Sequence, residues 1–205
     1  MSTQAVDRAE FEAVLAFHGC YCLDIALGYR VVKALLREMG EDISNLKQVV
    51  AYTGAPTCAV DAVQQLAGCT LGKRNLYYTN TGKSTFVFHN TVSAKAVRAY
   101  CHYWDDFDHD ALRRCRKEAA DPATATPETK QALQMLLERE VGKILGLPEN
   151  ALFRLSRVNL PVPPKFSKYR SDPCAICGEY AKHDLLVERA GRQLCAECLE
   201  ADQDE

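Results

Sequence analysis

The chain has 205 residues, a formal net charge of -2 and ten cysteines, a size that allows one full core plus a small appendage and a charge that gives no overall reason to expect nucleic acid. The N-terminus lacks the basic end and continuous apolar run of a signal peptide, and no apolar run reaches the ~18 residues of a membrane span. The expectation is therefore a cytoplasmic protein whose cysteines are metal ligands, reactive thiols or packed residues rather than disulfides.

Phe11, Val14, Leu15 and Phe17 recur at helical spacing and predict a short helix over 9–17, running into His18-Gly19-Cys20-Tyr21-Cys22. A second helix is expected from Asp24 to Met39, where Ile25, Gly28, Val32, Leu35, Leu36 and Met39 repeat at three and four and Gly40 closes the run. His18, Cys20 and Cys22 thus fall in a turn at the mouth of this helix. Val49 to Tyr52 suits a buried strand ending at Gly54 and Pro56.

Cys58 follows Thr57, which is expected to cap a short helix; free amides and the helix dipole there favour a thiolate. Asp61 and Gln65 share the face of Cys58, making a small polar site that suits a ligand or a nucleophile. Gly68 stops this helix and Gly72 turns the chain. Lys73 and Arg74, beside Gly72, offer charge for a phosphate or carboxylate, although the glycine spacing is not that of a P-loop.

Residues 76–80 and 84–88 flank the turn residues Asn80 to Lys83 and read as a hairpin. Val92 to Trp104 reads as a helix with Val97, Cys101 and Trp104 on one face, and Asp108 to Ala119 as a charged helix. Thr126-Pro127 starts a further helix, with a stripe from Leu133 to Leu145 ended by Gly146 and Pro148. Phe153 to Asn159 alternates like a strand. The proline-rich run after it marks a boundary between a core of residues 1–160 and a segment of residues 161–205.

Cys174-Ala-Ile-Cys177-Gly178 and Cys195-Ala-Glu-Cys198 have the spacing of a four-thiolate zinc site. Between them, two short strands around Ala190-Gly191 would form a hairpin that brings the pairs together, and a terminal helix after Cys195 gives a treble-clef or ribbon-like finger. So short a segment buries little apolar surface, so zinc supplies much of its stability. Four thiolates close the coordination shell, which favours a structural staple over a recognition module. Acids outnumber bases from Lys165 to the end, whereas Arg154, Arg157, Lys165, Lys168 and Arg170, interleaved with Phe153, Phe166 and Tyr169, form a basic linker.

The stretches FHGCYCLDIALGYR and CAVDAVQQLAGCTLGKRNL resemble the FmdE family, named for a component of formylmethanofuran dehydrogenase. His18, Gly19, Cys22, Gly28, Tyr29 and Arg30 match its first motif; Cys58, Asp61, Ala62 and Gln64, then Gly68, Cys69, Thr70, Gly72, Lys73 and Asn75 match its second. Gly82 and Lys83 complete the match. The family's second histidine is Cys20 here, its Pro-Gly is Leu23-Asp24, and its usual glycine before Asn75 is Arg74.

The resemblance implies an α+β core domain, an auxiliary treble-clef zinc finger and a homodimer. It also implies a link to molybdenum- or tungsten-dependent one-carbon metabolism. His18, Cys20, Cys22 and Cys58 would then converge on a second zinc or other transition metal, with Asp61 as an outer acceptor. Three ligands alone would leave an open position for water or substrate. A metal-free version makes Cys58 a nucleophile and His18 its base; the plainer alternative is packed thiols and a hydrogen-bonded histidine. Asp24, in the first helical turn beside Cys22, opposes ionisation of that thiol unless a metal is present. The expected function is that of an accessory or small catalytic metal-binding component; the other class is an adapter whose finger and basic linker dock a protein partner.

Overall fold

The structure, a computed structural model, describes residues 6–40, 46–160 and 170–201. The chain divides into two compact units, Met1–Leu160 and Pro161–Glu205. In the first, helices α1 (Arg8–His18) and α2 (Leu23–Met39) precede β1 (Val49–Thr53), α3 (Ala59–Ala67), β2 (Leu76–Tyr78), β3 (Thr85–Asn90) and β4 (Ala96–Cys101); α4 (His109–Ala120), α5 (Pro127–Gly146) and β5 (Phe153–Arg157) follow. No helix among the described residues is long and apolar enough to cross a membrane.

Helix α2 is apolar on most sides because it is the centre of the unit, packing on α1, α3 and α5 and on β3 and β4. Three consecutive residues hold its three helical neighbours. Gly28 lets the start of α3 approach; the Tyr29 hydroxyl donates to Glu10 Oε2 (3.1 Å) and accepts from the Asp7 amide (3.2 Å) at the start of α1. The Arg30 guanidinium donates to the carbonyls of Ile144 (2.9 Å) and Leu145 (2.6 Å), closing the last turn of α5. The Gly-Tyr-Arg run is thus a packing device.

The sheet has the order β2-β1-β3-β4-β5, with β1 parallel to β2 and all other pairs antiparallel. Ala51, Phe86, Phe88, Val97, Ala99, Cys101 and Phe153 are buried in the core with α2. Two expected elements differ. Residues 76–78 and 85–90 do not pair with each other, because β1 lies between them. Asn75 causes this: its carbonyl accepts from the Ala51 amide (2.8 Å) and its side-chain amide donates to the Val49 carbonyl (3.2 Å), docking β2 on the far edge of β1. The turn after β2 then crosses the end of β1, with the Thr79 amide on the Thr53 carbonyl and the Gly82 amide on the Gly54 carbonyl.

The helix expected over Val92–Trp104 is instead strand β4. Asn90 Oδ1 accepts from the amides of Val92 (2.8 Å) and Ser93 (3.0 Å), and Ala94 takes a left-handed φ of 57°, so the chain reverses onto β3. Val97, Ala99 and Cys101 then point inward at period two, which the spacing of four between Val97 and Cys101 also permits. Further on, α4 is capped by Asp108, and α5 opens with a reciprocal Thr126–Thr129 capping box and Pro127 in its first turn.

In the second unit, β6 (Ser171–Pro173) pairs with β7 (Tyr180–Lys182) and β8 (Val187–Arg189) with β9 (Arg192–Leu194), followed by α6 (Ala196–Ala201). Ala190 (φ 49°) and Gly191 (φ 74°) make the two-residue turn of the expected hairpin, both in the left-handed region that such a turn demands. Lys165, Phe166, Lys168 and Tyr169 of the basic linker lie outside the described residues. Arg154 belongs to β5, with its guanidinium 4.8 Å from the centre of the Tyr100 ring.

Candidate metal centres

In the second unit, the ligand sulfurs of Cys174, Cys177, Cys195 and Cys198 all lie within 4.8 Å of one another. Cys177 and Cys195 are 4.0 Å apart, close to the ~3.8 Å that tetrahedral zinc–sulfur bonds of about 2.3 Å require. Backbone amides of Cys195, Cys177 and Ile176 converge on Cys174 and hold its thiol down to about 6. Cys198 is pushed up to about 12 by hydrogen bonding to Cys195 and by burial. One sulfur ready to ionise beside another that resists is what crowded thiols show before a cation balances them. The donor set fits a metal ion of the zinc type.

The core site is assembled by three helix ends. His18 is the last residue of α1, and Gly19 beyond it takes a left-handed φ of 89°, which turns the chain towards α2. Cys22 is the N-cap of α2; its sulfur accepts from the Ile25 amide at 3.4 Å. Cys58 itself occupies the N-cap position of α3, with helical dihedrals and no side-chain cap bond. Thr57, expected to cap, instead leaves its hydroxyl buried and without a hydrogen-bond partner. Before this helix the chain leaves β1 at Gly54, where any Cβ would lie within 2.5 Å of Thr85 Oγ1 and of the Lys83 carbonyl.

His18, Cys22 and Cys58 bring one ligand atom each within 4.8 Å of the others. His18 Nε2 lies 3.5 Å from Cys22 Sγ; a tetrahedral ion with ordinary zinc–nitrogen and zinc–sulfur bonds sets that separation at about 3.6 Å. The opposite ring nitrogen, Nδ1, is 2.7 Å from Asp61 Oδ2, and Asp61 Oδ1 accepts from Gln64 Nε2 at 3.0 Å. Cys22 is 7 % exposed, and burial first, then Cys58 and Asp24, push its thiol up to about 12. Without a cation, Cys22 is therefore a neutral thiol. The three donors fit a transition metal, which would provide the charge that their ionised forms need.

Several residues singled out from the sequence fall elsewhere in the fold. Cys20 is exposed and is not part of the three-ligand group, so the thiol replacing the family's histidine does not complete the site. Lys73 donates from Nζ to the Gly68 carbonyl at 2.9 Å, capping the end of α3. The hydrogen bond from the His18 ring towards sulfur goes to Cys22, and the Cys58 sulfur lies in the same group, within 4.8 Å of the other two ligand atoms. Cys69 is fully buried, with its sulfur 3.5 Å from the Val49 carbonyl, and burial pushes it up to about 12, as a packed residue. Gln65, placed on the Cys58 face by the sequence, is exposed; Gln64 makes the contact to Asp61. Its spacing of three from Asp61 is the signal that could have found it.

A family model described as "FmdE, Molybdenum formylmethanofuran dehydrogenase operon" matches residues 17–154. A curated "Probable S-adenosyl-L-methionine-binding protein" from Archaeoglobus fulgidus is 26% identical over 189 residues, covering 89% of this chain and 50% of the relative; the chain spans about half of that protein's length. A solved structure of a tungsten formylmethanofuran dehydrogenase FmdE-like protein from Syntrophus aciditrophicus shares the fold, with a TM-score of 0.59, 20% identity, and coverage of 93% of this chain and 90% of that one. With its matched region spanning both motifs and all three core ligands, the chain belongs to the FmdE family.

Proposed function

We propose that the core unit is a metal-dependent component in which His18, Cys22 and Cys58 hold one transition metal, zinc by ligand type, and leave one coordination position open. The observation that carries this reading is the mutual approach of the three donor atoms, with the histidine braced from behind by Asp61. Two sulfurs and one imidazole are a donor set that catalytic zinc sites use, whereas the four cysteines of the finger form a closed, structural set. When bound in the core, the ion would supply Lewis-acid activation of a water or a substrate oxygen. The chain's own residues do the rest. His18 and Cys58 are partly accessible, Cys22 is buried, and Asp61 braces the His18 ring by accepting its Nδ1–H, which leaves Nε2 for the metal.

Family membership supports assigning this component to molybdenum- or tungsten-linked one-carbon metabolism, in an accessory or small catalytic role. Cobalt(II) loaded into the core tests the open position. Azide added to the cobalt form is expected to change its visible absorption; an unchanged spectrum at saturating azide would mean a closed shell and a structural site. The adapter reading draws on the finger's exposed Ile176, Tyr180 and Leu185, and gains weight in that second case.

A further inference from the structure

We propose that Gln64 is a positioning residue for the core metal site, acting through Asp61 to fix which nitrogen of His18 faces the metal. This rests on the metal-dependent reading of the core. Gln64 Nε2 donates to Asp61 Oδ1 at 3.0 Å, and Asp61 Oδ2 lies 2.7 Å from His18 Nδ1. A carboxylate can only accept, so the amide nitrogen of Gln64 must face it and His18 must carry its proton on Nδ1. Nε2 is then left with its lone pair directed at Cys22, 3.5 Å away. The order Gln64, Asp61, His18, metal is a chain of single-choice contacts, each fixed by the one before.

The need for Gln64 follows from exposure. The Asp61 side chain is 32% exposed, against 12% for His18. Left to itself, an exposed carboxylate rotates and is satisfied by water, and it then holds the imidazole in neither one tautomer nor one plane. Residues 61 and 64 are one turn apart on α3, so the donor reaches Oδ1 while Oδ2 stays turned to His18. Glutamate at 64 would have the same length but would set a second negative charge against Asp61.

The test uses the full chain with its finger filled by zinc, and cobalt(II) titrated into the core. Gln64→Leu keeps the volume and removes the donor; it is expected to weaken cobalt binding by roughly tenfold and to shift the visible bands. Gln64→Lys restores a donor to Asp61 and is expected to recover most of the affinity. Equal affinity and spectrum for wild type and Gln64→Leu would overturn the proposal. So would an equal loss in the leucine and lysine variants accompanied by an equal fall in melting temperature, which marks a merely structural role. If the wild type takes up no cobalt in the core, the metal reading itself fails, and the tautomer decides the rest. Nitrogen-15 NMR of His18 in the metal-free chain should then show Nδ1–H in the wild type and a tautomer mixture in Gln64→Leu; an unchanged tautomer would overturn the positioning role.

Discussion

A Cβ on Gly28 would lie 2.7 Å from the Cα of Ala59 and 2.8 Å from its carbonyl oxygen. The start of α3 therefore rests on α2 at a position without a side chain, and Cys58, one residue before Ala59, is held at its distance from Cys22 by that contact. Glycine inside a helix costs about 1 kcal/mol relative to alanine, so the substitution Gly28→Ala would stabilise α2 taken alone. Here the added methyl meets backbone, which cannot move aside without carrying α3. Net destabilisation of roughly 1–3 kcal/mol is expected, together with weaker core metal binding and an unchanged finger. Denaturant midpoints and metal titrations of the variant check both; a more stable variant with full core affinity would contradict the close contact.

Arg74 adopts φ 56°, in the left-handed region, where the family usually has glycine. A side chain there costs about 1–2 kcal/mol, offset in part by the ~0.5–1 kcal/mol by which glycine loosens the unfolded chain. Arg74→Gly should therefore raise stability by up to about 1 kcal/mol, while Arg74→Ala, which keeps the strained Cβ, should not. Thermal melts of the two variants side by side check this, and equal melting temperatures would remove backbone strain as the cause.

Arg37 and Glu149 form a two-pronged pair, with Nη1–Oε1 at 2.6 Å and Nη2–Oε2 at 2.8 Å, tying α2 to the turn before β5. Hydrogen bonding to Arg37 holds the Glu149 carboxyl below its ordinary value. A carboxyl with a lowered folded value binds its proton more readily when unfolded, so its stabilisation is complete above the ordinary value of about 4.3 and is lost as pH falls through the folded one. The pair is partly exposed, and its worth is about 1 kcal/mol or less. Glu149→Gln should thus be less stable than wild type at neutral pH and should converge with it in acid; a gap that stays constant into strong acid would show that the charge plays no part.

Much of this arrangement is legible in the sequence. The caps at Asp108 and Thr126-Pro127, the turn at Ala190-Gly191 and the two Cys-x-x-Cys pairs are local signals, and local chemistry decides them. Expectation and structure part where a distant partner decides. The stretch from Ala96 to Cys101 satisfies both a helical and a strand period, and only the open edge of β3 selects the strand. The side chain of Asn75, reaching to Val49, draws β2 out of the expected hairpin. In the core site, His18, Cys22, Cys58 and Asp61 are readable as residue types near helix ends, but which sulfur joins them is not. Cys20 and Cys22 are two residues apart, and only the N-cap geometry of α2 sends Cys22 inward and leaves Cys20 exposed.

Chelation separates the two units. Removing metal from the finger should abolish hydrogen-exchange protection of the short strands in residues 171–194, whose small apolar content cannot hold them unaided. Amides of β1, β3 and β4 should stay protected, since the core around α2 is built without metal. Loss of protection throughout both units on chelation would contradict a core that folds independently of its ion.

Metal content per chain, measured by mass spectrometry on the full protein after anaerobic zinc loading and removal of loose metal, tests the central claim most directly. Two zinc ions are predicted for the wild type and one for each of His18→Ala, Cys22→Ser and Cys58→Ser, with Cys20→Ser retaining two. One zinc in the wild type, unchanged in all four variants, would contradict a second metal centre in the core.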